Sequence, residues 1–213
     1  MKRILVIERE VGAGAGTIAR RLSERLGWKL YDQAFTDEIA KMAKVSPKVC
    51  RNHEERVDSW IYRLAKVFWR GSHERSLNIP NVEIVDADCL INLSQAVAEK
   101  LAEEGECVIV GRAAAYFLRN RTDSYCVFLY APREFRYRRL LEELRDEQEA
   151  IDRIDHVDEE RRAFIKHYFG ADWPVRQLYH AMLNTAVGVE ATVENILSLM
   201  ERAGRAESRA EKP

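Results

Sequence analysis

Four consecutive apolar residues, Ile4 to Ile7, lead through Glu8, Arg9 and Glu10 into a segment with glycine at 12, 14 and 16. A helical pattern follows, in which Ile18, Leu22 and Leu26 recur every fourth residue and Gly27 stands where a helix C-terminus favours it. No other feature restricts the fold as strongly. A short, wholly apolar run suits a strand buried on both faces, as in a parallel sheet. "WKLYD" (Trp28 to Asp32) reads as the next strand. Strand, glycine loop, helix and strand make a βαβ unit, for which a right-handed crossover is expected.

The same alternation continues. Beyond Phe35 the pattern turns helical, with Thr36 or Asp37 as a cap, and Ser46-Pro47 opens a further helix carrying Trp60, Leu64, Val67 and Phe68. Residues 72–85 lack a period and read as a connection. Leu90, Leu93, Val97 and Leu101 mark a helix stopped by Gly105, and "CVIV" (Cys107 to Val110) and "YCVFLY" (Tyr125 to Tyr130) are apolar strands. Pro132 opens an Arg/Glu helix to about Glu149, Asp158 to Phe169 is a second, "LYHAML" (Leu178 to Leu183) a last strand and Val189 to Arg202 a closing helix. Residues 1–203 are thus expected to form a single α/β domain, a doubly wound, mostly parallel sheet flanked by helices, with 204–213 a disordered tail. In such sheets ligands sit beyond the carboxyl ends of the strands, where "EREVGAGAG", "YD" and "VGRAAA" all fall.

Charge and cysteine usage narrow the function classes. With 34 basic and 35 acidic residues the net charge is −1, so no global field draws in nucleic acid or membrane. Cys50, Cys89, Cys107 and Cys126 form no C-x-x-C pair and read as reduced thiols. No apolar run approaches the roughly 20 residues that span a bilayer. The expectation is a soluble, cytoplasmic protein. The five histidines have no metal-ligand spacing, and "FGADW" (Phe169 to Trp173) reads as core packing with a capping Asp172.

A glycine-rich turn between strand and helix lets backbone N–H groups converge on an anion and aims a helix N-terminus at it. Gly12, Gly14 and Gly16 supply the permissive backbone, with Ala13 and Ala15 between them and Thr17 offering a hydroxyl. Against the strict G-x-x-x-x-G-K-[ST] pattern, Arg9 replaces the first glycine, Ala15 the lysine and Gly16 the Ser/Thr. The residues alone leave two readings, a phosphate cradle and a bare turn.

The run R-E-V-G-A-G-A-G-T (Arg9 to Thr17) resembles the G-x-x-G-x-G-K-G-T loop of cytidylate kinases. It is closer still to the cytidylate kinase-like family, whose R-E-F-G-S-G-G loop also lacks the lysine. "GWKLYDQAF", "EEGECVIVGRAAAYFLR", "VFLYAPREFRYRRL", "FIKHYFGADW" and "LNTAVGVEATVENIL" are similar to further blocks of that family in the same order, leaving only 44–85 weakly matched.

The resemblance implies a P-loop, nucleoside-monophosphate-kinase-like architecture with a helical acceptor-side insertion at about 36–85 and a lid at about 145–169. ATP would lie on Gly12, Ala13, Gly14, Ala15, Gly16 and Thr17, with Mg2+ held by Thr17 and Glu8. The acceptor would meet Asp32, Arg112 and Arg136, and catalysis would fall to Arg9, Arg112 and Arg161. Asp32 reads equally as a helix cap. Arg133, Arg138 and Arg139 read as surface partners of nearby acids. Val110 stands where cytidylate kinases carry an Asp, and Ala113 where they carry another, which leaves cytosine recognition open. Arg9 or Arg20 would replace the lysine's charge. The implied activity is transfer of the ATP γ-phosphoryl to a nucleoside monophosphate such as CMP. The rivals are a non-catalytic nucleotide sensor, a kinase of a non-nucleotide metabolite, and a scaffold that self-associates through the helical segment bearing Trp60 and Trp69.

Overall fold

The computed structural model describes residues 2–45 and 87–210. The expected helix around Trp60 and Trp69, the cap at Ser46 and the connection at 72–85 lie outside the described residues. The five strands are β1 (Ile4–Arg9), β2 (Lys29–Tyr31), β3 (Cys107–Val110), β4 (Ser124–Tyr130) and β5 (Ala181–Asn184). They form one sheet in the order β2-β3-β1-β4-β5, with every neighbouring pair parallel. β1 is therefore central, with Ile4 opposite both Cys107 and Ser124. All six of its residues are buried, which is why an unbroken apolar run was needed there.

Helices cover both faces: α1 (Ala15–Leu26), α2 (Gln33–Val45), α3 (Ala87–Glu104), the short α4 (Ala114–Phe117), α5 (Arg133–Leu144), α6 (Glu147–Phe169) and α7 (Val189–Ala210). Alternation along β1 sorts its side chains between two cores. Ile4 and Val6 join Phe35, Leu93, Val97, Phe164 and Trp173, whereas Leu5 and Ile7 join Ile18, Leu22, Val193 and Ile196. A third cluster of Val11, Leu140, Ala150, Ile154 and Val157 fastens α5 and α6 beside the glycine loop.

Four boundaries differ from those expected. The Arg/Glu helix ends at Leu144, because Arg145 adopts φ 57 and Asp146 caps a new helix by accepting the Glu149 N–H at 3.0 Å. α6 is then one 23-residue helix to Phe169 rather than a helix starting at Asp158. α2 starts at Gln33, directly after Asp32, so Thr36 and Asp37 lie inside it and cap nothing. β5 begins only at Ala181, and Leu178 closes a 3-10 turn from Arg176.

α7 continues past Arg202 through the expected tail to Ala210. Alanines and an Arg205–Glu201 pair one turn apart favour helix there, and Gly204 lies against the backbone of Lys2. Asp172 pairs with Lys166 at 2.8 Å rather than capping a helix, while Trp173 packs edge-on to Phe128 as a core residue. Cys107 and Cys126 are buried free thiols. Among the described residues no helix is long and apolar enough to cross a membrane.

Leu22 is fully buried between α1 and the sheet, remote from the glycine loop's open side. Leu22→Ala is expected to cost about 2–5 kcal/mol in urea unfolding, and a loss below about 1 kcal/mol would contradict this packing.

Candidate active site

β1 delivers the chain to the carboxyl edge of the sheet, where the Glu10 N–H still bonds the Leu129 carbonyl at 2.9 Å. The loop then turns through Gly12 at φ 74 and Gly14 at φ 76, left-handed conformations that suit glycine. Space demands glycine as well. A Cβ on Gly12 would stand 2.7 Å from the Arg136 carbonyl oxygen, and one on Gly14 would collide with the Arg139 guanidinium. α1 starts at Ala15 with no side-chain cap, so its first N–H groups, including those of Ala15, Gly16 and Thr17, have no intrahelical acceptor. They face a cleft of about 480 Å³ lined by residues 9–17, by Arg139, Glu142 and Glu143 of α5, and by Arg161 of α6. Unpaired N–H groups and the positive end of a helix dipole make this a seat for an anion.

One carboxylate ties the helices to that loop. Asp158 Oδ1 accepts from the Val11 N–H at 2.9 Å and from Arg161 Nη1 at 2.9 Å, while Oδ2 accepts from Arg136 Nη1 at 2.8 Å. Arg161 also donates to the Arg9 carbonyl at 3.1 Å. Arg136 donates to the carbonyls of Val11 and Ala131 and pairs with Glu10 at 3.3 Å. Its guanidinium is thus committed to holding the loop, not to the acceptor contact expected of it.

Behind the cleft lies a group of charges that water barely reaches: Glu8, Arg9, Asp32, Arg112 and Arg161. Arg112 follows β3 at φ 62 and is 1% exposed. None of its three guanidinium nitrogens has a hydrogen-bond partner among the described residues. Burial brings Arg112 down to about 9 despite Asp32, with Arg9 and Arg161 adding to the fall. Arg9 comes down to about 10, again first by burial and then by Arg161. Burial pushes the Glu8 carboxyl upward against the pull of Arg9, Arg161, the Ala115 N–H and Arg112. With Asp158 paired to Arg161 the group is close to charge balance, and what stays uncompensated is the hydrogen bonding of the Arg112 guanidinium, a cost that a bound anion would relieve.

The expected residues therefore fall into three places. Loop positions Gly12, Ala13, Gly14, Ala15, Gly16 and Thr17 all line the cleft. Asp32, Glu8 and Arg112 belong to the buried group, and Arg9 and Arg161 belong to both. Arg9 turns its guanidinium onto Gly111, where a Cβ would collide with it. Arg20 is exposed on α1 and lines no part of the cleft. Thr17 and Glu8 are not brought to one cavity, and no trio of His, Cys, Asp or Glu able to hold a metal occurs among the described residues. Asp158 and Arg139 went unrecognised in the sequence. The available signal was the three-residue spacing of Arg136 and Arg139, which sets both on the α5 face that meets the loop.

The model of the cytidylate kinase-like family matches residues 4–187. The chain belongs to that family. Among curated relatives, cytidylate kinase from Pseudomonas aeruginosa strain UCBPP-PA14 is 26% identical, over 94% of this chain and 96% of its own. The same enzyme from strain LESB58 is also 26% identical, with the same coverage. Among solved structures, an uncharacterized protein from Eubacterium ventriosum ATCC 27560 superposes with TM-score 0.65 at 21% identity, covering 95% of this chain and 99% of that one. A gluconokinase from Sinorhizobium meliloti 1021 gives 0.58 at 14%, covering 99% of each chain. Shikimate kinase from Acinetobacter baumannii, in complex with shikimate, gives 0.50 at 18%, covering 95% of this chain and 94% of that one. These likenesses confirm the fold, a parallel sheet between helices shared with kinases.

In this cytidylate kinase-like chain the buried, unpartnered guanidinium of Arg112 should cost stability when no anion is bound. Arg112→Met keeps the side chain's length and removes the charge, and should raise thermal stability by about 1–3 kcal/mol. A lowered melting temperature would show that Arg112 already has its counter-charge.

Proposed function

We propose that this protein transfers the γ-phosphoryl of Mg2+-ATP to a small anionic acceptor, a nucleoside monophosphate such as CMP. The observation that carries this is Arg112, buried with three unpartnered nitrogens beside Asp32 and linked to the loop cleft through Arg9 and Arg161. A guanidinium in that state suits a phosphate, which it can grip at two oxygens. The donor polyphosphate fits the glycine cradle, where missing Cβ atoms and unpaired N–H groups leave room and hydrogen bonds. Of the side chains expected to hold Mg2+, Thr17 fits, with its exposed position on the cleft; Glu8, buried away from that lining, does not. The ion would supply charge neutralisation on the polyphosphate and take its other ligands from phosphate oxygens and water.

In the reaction an acceptor phosphate oxygen forms a bond to the γ-phosphorus and the bond to the β–γ bridging oxygen breaks, releasing ADP. Such a transfer asks for alignment and positive charge rather than covalent help from the protein. Arg112 would hold the acceptor, and Arg161, fixed by Asp158, and Arg9 would stand between the two sites. Ala113, fully buried next to Arg112 where cytidylate kinases carry Asp, favours a second reading in which the acceptor is a different small phosphate-bearing metabolite.

ADP formation from Mg2+-ATP should appear with one member of a panel of nucleoside monophosphates and sugar phosphates. Arg112→Met should lower turnover by about 100- to 1,000-fold. A protein that turns over no acceptor and whose melting temperature does not respond to ATP would refute the proposal.

A further inference from the structure

We infer that Arg139 supplies the cation that the glycine loop lacks, by contacting the donor's polyphosphate from the opposite wall of the cleft. The inference rests on the donor side of the function proposed above. At position 15, where the cytidylate kinase loop carries lysine, Ala15 lines the cleft and offers no charge. The missing charge must come from a neighbouring element if the loop is to hold a polyphosphate through more than backbone N–H groups.

Four other arginines stand near enough in fold or sequence to be considered, and each is held by other groups or directed elsewhere. Arg136 is spent on Asp158, Glu10 and two carbonyls. Arg161 is fixed by Asp158 and the Arg9 carbonyl. Arg9 lines the cleft too, but its guanidinium turns away to Gly111, among the charges around Arg112, and Arg20 is exposed outside the cleft lining.

Arg139 differs on three independent points. Its guanidinium lies against Gly14, closely enough that a Cβ there would overlap it, and it lines the cleft. Its Nη1 is buried with no hydrogen-bond partner among the described residues. Its Cζ sits 4.9 Å from the centroid of the Phe135 ring, one turn earlier on α5, which holds the side chain's plane without using its donors. A guanidinium so held, beside the N-terminal N–H groups of α1, is preorganised for phosphate oxygens. Gly14 is then required twice, for its left-handed backbone and for the room its missing side chain gives Arg139.

The probes are inorganic tripolyphosphate and a non-hydrolysable ATP analogue, each with Mg2+, titrated calorimetrically into the full chain. Arg139→Gln should weaken both about 10- to 100-fold, with a melting temperature within a few degrees of the parent's. Arg139→Lys should recover part of the loss. Adding Ala15→Lys to Arg139→Gln should recover it too, a rescue that a merely structural role for Arg139 would not give. Unchanged tripolyphosphate affinity in Arg139→Gln would overturn the inference, even if the ATP analogue alone weakened, since the contact would then be to the base. A loss that neither lysine variant recovers would also overturn it. Parent protein that binds neither probe would bring down the donor reading together with the inference, whereas the outcomes above leave that reading standing.

Discussion

Arg112 sets the terms for this site. A guanidinium removed from water, with nothing among its described neighbours to accept its hydrogen bonds, is held there by the fold at an energetic cost. Asp32, Glu8 and Asp158 offset the charges of Arg112, Arg9 and Arg161, but none of these carboxylates accepts a hydrogen bond from Arg112. The sheet makes this arrangement inevitable. β1, β2 and β3 end side by side, so Arg9 at the end of β1, and Asp32 and Arg112 just beyond β2 and β3, are brought together.

The second constraint is the tie between the glycine loop and the two helices α5 and α6. Asp158 accepts from a loop N–H and from two arginines of those helices, and the apolar cluster around Val11 and Leu140 backs it. The loop's shape, the position of Arg161 and the placement of Arg139 over Gly14 are thereby set by one packed unit. On the proposed function, the charges that would act together in phosphoryl transfer are fixed before any ligand arrives, which is the condition under which electrostatic stabilisation is most effective.

Much of this was legible in the chain. The run Ile4 to Ile7 announced a central strand because only a strand buried on both faces needs four apolar residues in succession, and the glycines announced the turn because left-handed backbone demands them. Arg112 was legible from its place after a wholly apolar strand. What stayed hidden had physical reasons. The break at Arg145 uses a non-glycine left-handed residue inside a charged run, so composition gave no sign of it. Asp158 sits among acids that mark a solvated helix face, and only the fold shows that it turns to Val11. Arg139 looked like a partner for nearby glutamates, because a one-dimensional pattern does not show that α5 crosses Gly14. The place of Glu8 was hidden as well, because strand alternation points its carboxyl beneath α4, toward Ala115, rather than into the cleft.

The account holds that the loop cleft and the Arg112 group are two halves of one reaction site, joined through Arg9 and Arg161. The most direct test is the affinity of a bisubstrate analogue, adenosine joined through five phosphates to a second nucleoside, prepared with each of the four common nucleosides. Occupying both halves with one molecule should give a dissociation constant for at least one of the four that is about 100- to 10,000-fold tighter than that of ATP. If all four bind no more tightly than ATP, the two halves do not act as one site, and the account is wrong at its centre.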